Sequence, residues 1–152
     1  MTDMTALAEQ VGGALLERGR ILATAESCTG GWVAKLVTDV AGCSQWFDRG
    51  FVTYSNEAKQ DMLGVPGMTL ETEGAVSEAS VSAMVSGALE HSRADVALAI
   101  SGIAGPGGER PGKPVGTVCF AWQLQGQQPR IETRHFSGDR NNVRQQAVLH
   151  AL

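Results

Sequence analysis

A serine lies at an abrupt change of pattern near the start of the chain. Residues 21–25 are an apolar run, residues 26–31 read Glu-Ser-Cys-Thr-Gly-Gly, and apolar residues then recur at helical spacing as far as Val40. This pattern predicts a strand, a tight turn and a helix. The first N–H groups of such a helix have no partner within the helix and carry partial positive charge. Ser27, as a nucleophile, would have donors beside it that stabilise an oxyanion.

The turn after this strand has more than one interpretation. In the catalytic one, backbone N–H groups around Thr29, Gly30 and Gly31 bind the oxyanion, and the glycines let a ligand approach the backbone. In the alternative, Ser27 or Thr29 merely caps the helix, which is the commoner use of such residues. Cys28 is a rival nucleophile, although a small buried thiol is the commoner fate of a lone cysteine. The sequence leaves these alternatives open.

A serine nucleophile also needs a base. The chain has three histidines, none of them beside a turn with active-site features or at metal-ligand spacing: His91, His135 and His150. Lysine is the usual substitute for histidine as the base. Lys59 is the best candidate because it lies in the first turn of a predicted helix capped at Asn56. The helix dipole and partial burial there would lower the lysine pKa. Tyr54, at the end of the preceding predicted strand, would orient the lysine or relay its proton; the alternative is a solvated lysine beside a core tyrosine.

Two further features indicate an anionic ligand. The glycine-rich loop 101–108 follows a predicted buried strand, at the carboxyl end where ligands bind in α/β sheets. Arg140 and Arg144 lie one turn apart early in the last predicted helix, where cations oppose the dipole unless an anion is bound. A surface loop and a solvated arginine pair are the alternatives. The candidate substrate-binding residues are Ser101, Gly102, Gly105, Gly107 and Arg140 from these features, together with Asn56.

The segment 107–113 has the glycine and lysine spacing of a phosphate-binding loop. Pro114, however, stands where that motif needs serine or threonine to bind magnesium, and a strand rather than a helix is predicted to follow. We therefore interpret the match as a false positive, and we predict no metal site.

Composition sets the class of protein. The chain has 152 residues, a net charge of −4 and no cluster of lysine or arginine, which argues against nucleic acid as a partner. An odd number of cysteines, three, predicts a reducing compartment, and hence the cytoplasm. The start of the chain lacks a signal-peptide pattern, and no apolar run is long enough to span a bilayer.

Helical and strand patterns alternate along the chain and end in a hairpin around Gly126. This order predicts a single domain, residues 1–152, with a three-layer α/β/α sandwich and a mixed β-sheet. The predicted strands are 21–25, 50–54, 96–100, 115–124 and 130–136, and the predicted helices are 4–18, 33–41, 57–63, 69–74, 78–92 and the segment after Asp139.

Six stretches follow one another along the chain: AESCTGG at 25–31, GFVTYSNEAK at 50–59, GAVSE at 74–78, SGIAGPGG at 101–108, KPVGTV at 113–118 and FSGDR at 136–140. Together they resemble the CinA C-terminal domain family. The resemblance implies hydrolysis of nicotinamide mononucleotide to nicotinate mononucleotide and ammonia, which returns the product to NAD synthesis.

The resemblance also implies site residues and partners. It places a Ser-Tyr-Lys set on Ser27, Tyr54 and Lys59, and it implies an α/β/α fold, a homodimer and no metal or other cofactor. No role is transferred to residues 109–112, because that segment varies in the family. A non-catalytic nucleotide-binding module of the same family is the alternative function.

Overall fold

One five-stranded sheet organises the molecule. The computed structural model describes residues 3–152. The strands are β1 (Leu22–Glu26), β2 (Phe47–Val52), β3 (Val96–Gly102), β4 (Thr117–Leu124) and β5 (Arg130–His135). They lie in the order β2-β1-β3-β4-β5, with β1 parallel to β2 and β3, and with β4 antiparallel to both β3 and β5. The predicted mixed sheet is therefore confirmed.

Helices cover both faces of this sheet. They are α1 (Met4–Glu17), α2 (Trp32–Thr38), α3 (Asn56–Leu63), α4 (Gly67–Thr72), α5 (Glu78–Glu90) and α6 (Arg140–Ala151). Helices α1, α2 and α6 share one apolar core with the sheet, and α3, α4 and α5 share the other. The predicted three-layer α/β/α sandwich is thus confirmed. No helix within residues 3–152 is long and apolar enough to cross a membrane.

The two faces of the sheet carry side chains of different size, because successive residues of a strand point to opposite faces. Leu98, Ile100 and Phe120 face α1, α2 and α6. Ala97, Ala99, Cys119 and Ala121 face α5, so the second face is lined by small side chains. Helix α5 then packs closely enough on α3 that a Cβ on Gly87 would lie 1.9 Å from the carbonyl oxygen of Leu63. This contact fixes α3, which carries Lys59, against the core.

Several boundaries differ from the predicted ones. The strand predicted at 50–54 runs instead from Phe47 to Val52. Its pairing with β1 ends at Val52, opposite Glu26, and the chain then leaves the sheet toward α3. The cap of α3 is Ser55, whose Oγ accepts from the Ala58 N–H at 3.0 Å, and not Asn56. The helix predicted at 69–74 begins earlier, at 67.

Candidate active site

A cavity of about 200 Å³ opens at the carboxyl ends of β1 and β3. Parallel strands place their carboxyl ends at one edge of a sheet, so loops that follow different strands meet there. Six of the twelve predicted site residues line this cavity. Its lining residues are Ser27, Cys28, Tyr54, Lys59, Ala75, Val76, Ser101, Gly102, Ala104 and Arg140.

Ser27 and Lys59 are in direct contact within the cavity. The Lys59 Nζ lies 2.9 Å from the Ser27 Oγ, 2.8 Å from the Thr53 carbonyl oxygen and 2.9 Å from that of Tyr54. Lys59 is 1% exposed, and within residues 3–152 no carboxylate lies within 4.0 Å of its ammonium group. Burial disfavours the charged amine and lowers the pKa of Lys59 from 10.5 to about 8.

This geometry directs the proton from the serine to the lysine. Carbonyl oxygens accept hydrogen bonds and cannot donate them, so the two carbonyls take two N–H groups of Lys59. In the neutral amine, the remaining tetrahedral position is a lone pair, and it faces the Ser27 Oγ. The Ser27 hydroxyl then donates to the lysine, which is the arrangement of a nucleophile beside its general base.

Tyr54 contacts this pair through its main chain. Its carbonyl oxygen accepts from Lys59 Nζ and lies 3.4 Å from the Ser27 Oγ. Its side chain is 65% exposed, and the hydroxyl has no hydrogen-bond partner in the part of the chain that the structure describes. The predicted role of that hydroxyl in orienting the lysine or relaying its proton stays a prediction.

The turn that carries Ser27 is anchored by Glu26, a residue to which the sequence analysis gave no role. Glu26 ends β1, is 1% exposed, and accepts hydrogen bonds from the Thr29 hydroxyl at 2.6 Å. It also accepts from the N–H groups of Val33 at 2.9 Å and Ala34 at 3.0 Å. Glu26 therefore caps α2 from the preceding strand. Neither the Ser27 nor the Thr29 side chain does so, and the capping interpretation of these residues is wrong.

The N–H groups that could bind an oxyanion therefore belong to the turn before α2 and not to the first turn of α2 itself. Glu26 occupies the N–H groups of Val33 and Ala34, and the Gly30 N–H donates to the Ser27 carbonyl at 3.1 Å. Within residues 3–152, the N–H groups of Thr29 and Gly31 have no hydrogen-bond partner. These are the two amides of the predicted set that remain free to donate.

Arg144 holds the same turn from the other side. Its Nε donates to the Cys28 carbonyl at 2.9 Å, and its Nη2 donates to the Thr29 carbonyl at 3.3 Å. The Cys28 carbonyl and the Thr29 N–H belong to one peptide group, so the guanidinium both orients that N–H and polarises it as a donor. The turn's own carbonyls thus engage two donors of Arg144, and its role as half of an anion-binding arginine pair stays a prediction.

Of the other predicted residues, three line the serine cavity, one lines a neighbouring cavity, and five line neither: Thr29, Gly30, Gly31, Gly105 and Gly107. Ser101, Gly102 and Arg140 line the serine cavity, and Arg140 is held there by donating from Nη1 to the Gly105 carbonyl at 2.7 Å. Asn56 lines a neighbouring cavity of about 500 Å³ instead. Gly107 lines neither of these two cavities.

Cys28 is unsuited to act as the nucleophile. Its thiol is buried, and burial raises its pKa from 9.0 to about 12, so the reactive thiolate does not form near neutral pH. The side chain packs in the core that α1, α2 and α6 share with the sheet.

We expect Cys28→Ala to keep amide hydrolysis within a few fold of wild type, since the substitution removes a buried thiol without touching the serine and lysine. Initial rates of Cys28→Ala and of the wild type measure this effect. Treatment of the wild type with a thiol-alkylating reagent should likewise leave its rate within a few fold. Loss of turnover in Cys28→Ala with retained circular dichroism would restore the thiol as a candidate.

Metal-ligating side chains are not clustered here. Among residues 3–152, no group of three or more histidine, cysteine, aspartate or glutamate side chains is placed to hold a metal ion.

The fold and the site together define a class of protein. Its members are three-layer α/β/α domains in which a buried lysine is hydrogen-bonded to a serine at the carboxyl ends of the strands. The chain belongs to the CinA C-terminal domain family, whose sequence model matches residues 4–152.

Relatives of known sequence and structure agree with this assignment. The nicotinamide-nucleotide amidohydrolase PncC of Escherichia coli K12 is 57% identical over 154 residues, covering 100% of this chain and 93% of that protein. A putative competence-damage inducible protein of Symbiobacterium thermophilum is 54% identical, covering 99% of this chain but 37% of its own length. A crystal structure of the competence damage-inducible protein A from Klebsiella pneumoniae superposes with a TM-score of 0.95 at 44% identity, covering 99% of this chain and 92% of that one.

Proposed function

We propose that this protein hydrolyses the carboxamide of nicotinamide mononucleotide to nicotinate mononucleotide and ammonia. The observation that carries the proposal is the 2.9 Å contact between Ser27 Oγ and the buried Lys59 Nζ. A lysine with a lowered pKa beside a serine is a recurring device for acyl transfer without histidine. The name of the relative from Escherichia coli supports the choice of a nicotinamide nucleotide as substrate.

The first half of the reaction forms an acyl-enzyme. Neutral Lys59 takes the proton of Ser27 as the serine oxygen attacks the carboxamide carbon. The oxyanion that develops accepts from the N–H groups of Thr29 and Gly31, each such donor typically being worth about 3 kcal/mol in the transition state. The C–N bond then breaks, and protonated Lys59 gives its proton to the departing nitrogen, so ammonia leaves.

The second half returns the free enzyme. Water attacks the ester carbon while Lys59 accepts a proton from that water, and the lysine then reprotonates the Ser27 oxygen as the acyl bond breaks. Nicotinate mononucleotide leaves. Arg140 donates one hydrogen bond to the Gly105 carbonyl and lines the same cavity, so its other N–H groups are available to help position the substrate.

Ammonia release from nicotinamide mononucleotide tests the proposal. We expect release by the wild-type chain and a loss of about 10⁴-fold or more in Ser27→Ala, because no other group in the cavity supplies the nucleophile. Ser44→Ala, which changes an exposed serine, is the matched control and should behave as wild type. Circular dichroism verifies that each variant is folded.

Two results would contradict this proposal. Nucleotide binding without ammonia release by the folded wild-type chain would favour the non-catalytic binding module. Release by Ser27→Ala within a few fold of wild type would remove the serine from the mechanism.

We further propose that the protein acts as a cytoplasmic homodimer that needs no cofactor, as the family resemblance implies. Cys28, Cys43 and Cys119 are all free thiols in the structure, which supports a reducing compartment.

A further inference from the structure

The serine cavity is too small for a whole nucleotide. Its volume is about 200 Å³, whereas pockets for ligands of this size occupy roughly 300–1,000 Å³. The neighbouring cavity of about 500 Å³, which we call the outer cavity, shares Ala75 and Val76 with it as lining residues. A nucleotide with its carboxamide at Ser27 must therefore place its remaining atoms in the outer cavity.

Two cations at the tip of a hairpin line the outer cavity. Arg110 and Lys113 face each other across a two-residue turn, with the Arg110 N–H donating to the Lys113 carbonyl at 3.0 Å and the Lys113 N–H donating to the Arg110 carbonyl at 2.8 Å. Directly opposed residues of an antiparallel pair project to the same face, where like charges repel. An anion bound between the side chains removes that penalty.

Neither cation is neutralised by the protein itself. Within residues 3–152, no carboxylate lies within 4.0 Å of the Arg110 guanidinium or the Lys113 ammonium. The Lys113 Nζ donates one hydrogen bond, to the Glu73 carbonyl at 2.7 Å, which leaves two N–H groups. A Cβ built on Gly74 would lie 3.5 Å from this Nζ, so the ammonium is beside the segment 74–76 that borders both cavities.

Carboxylates also line the outer cavity, and they help to define how a ligand lies in it. Glu71 and Glu73 contribute to the lining. Carboxylates accept hydrogen bonds from the hydroxyl groups of a ribose and repel a phosphate. A nucleotide in this cavity would direct its sugar hydroxyls to these carboxylates and its phosphate to the hairpin cations.

We propose that Arg110 and Lys113 bind the phosphate group of the substrate. This inference rests on the proposed function, and it assigns a binding role to Arg110, in the segment 109–112 that the family resemblance left without one, together with the neighbouring Lys113. Arginine presents a planar fork suited to phosphate oxygens, and lysine adds a compact charge.

Kinetics with two substrates test the subsite. Nicotinamide mononucleotide carries the phosphate, and nicotinamide riboside lacks it. For the double variant Arg110→Ala/Lys113→Ala, we expect KM for the mononucleotide to rise about tenfold or more, with kcat nearly unchanged and with the riboside kinetics unaffected. The single variant Lys113→Arg keeps the positive charge, so its KM for the mononucleotide should lie between that of the wild type and that of the double variant. Lys35→Ala/Arg134→Ala removes the same charge from exposed positions and should leave KM unchanged.

The outcomes separate this proposal from the proposed function. An unchanged KM for the mononucleotide, or an equal loss with both substrates, would overturn the subsite. Should the wild type release no ammonia, titration with inorganic phosphate decides instead. Saturable phosphate binding that the double variant loses supports the subsite without the amidase, and the absence of such binding overturns it.

Discussion

Lys59→Met is expected to abolish ammonia release while the chain remains folded. Methionine is apolar and close to lysine in length, so it fills the buried site without a charge to desolvate. It has no amine, however, and the Ser27 proton loses its acceptor. Removal of a general base typically costs about 10²- to 10⁴-fold, and we expect the upper end because no second base contacts the serine. Steady-state rates with circular dichroism measure both properties.

The same variant tests the protonation state of the lysine independently of activity. The folded chain holds Lys59 with a pKa of about 8, below the ordinary 10.5, so between these pH values the unfolded chain binds more protons than the folded one. The free energy of unfolding of the wild type should therefore rise, relative to that of Lys59→Met, as pH increases from about 8 to 10.5. Cys28, whose pKa is raised from 9.0 to about 12, lowers the free energy of unfolding of both proteins from about pH 9 upward, so the difference between them isolates the lysine. Below pH about 8 the cost of the buried charge is fully present, and kcat/KM should fall about tenfold per pH unit.

Urea unfolding across this pH range should show a difference in the free energy of unfolding between wild type and Lys59→Met that grows as pH rises from about 8 to 10.5. Lys35→Met is the matched control, because the Lys35 side chain is 72% exposed and should keep the wild-type dependence. A rise of equal size in Lys59→Met would mean that another group titrates in this window.

Ser27 and Lys59 were paired in the sequence analysis by their chemistry and by the family resemblance, but the local pattern does not encode how the fold brings them into contact. Ser27 follows β1, and Lys59 lies on the helix after β2, 32 residues later. They meet because β1 and β2 are adjacent and parallel, with Glu26 opposite Val52, so both chains leave the sheet side by side. Strand order and register depend on packing of the whole sheet, which local periodicity does not encode.

The residues that the sequence analysis missed act over longer separations than local rules consider. Capping rules look for a side chain about three residues from its N–H partner, whereas Glu26 reaches Val33 and Ala34 from inside a strand. A carboxylate at the buried end of an apolar strand was the available signal, since such a group must find donors. Arg144 contacts the turn from 116 residues away along the chain, and its spacing from Arg140 suggested a different partner.

The first half of β2 was also missed by the sequence analysis, because that half contains charged residues. The strand lies at the edge of the sheet and includes Asp48 and Arg49, which pair with each other at 2.8 Å. The Asp48 carboxylate also accepts from the Arg93 N–H at 2.9 Å, so the charges are satisfied at the edge. Edge strands tolerate such charges, so hydrophobicity alone placed the start of the strand too late.

Glu26→Gln is expected to destabilise the protein and to slow the reaction together. Glutamine has nearly the same shape but one acceptor oxygen, whereas both Glu26 oxygens accept hydrogen bonds, one from Thr29 and Val33 and the other from Ala34. The glutamine NH₂ must then face a buried donor. We expect the free energy of unfolding to fall by about 3 kcal/mol, which chemical denaturation measures.

The effect of Glu26→Gln on catalysis follows from the position of the turn. Glu26 fixes Thr29, whose N–H is a proposed oxyanion donor, and a displacement of about 1 Å at such a site costs about 100-fold in rate. We therefore expect kcat to fall by that order, even at temperatures where the variant is fully folded. Glu57→Gln alters an exposed glutamate at the start of α3 and is the matched control. Wild-type kcat in folded Glu26→Gln would show that the serine keeps its position without the carboxylate, and that Arg144 alone is sufficient to orient the turn.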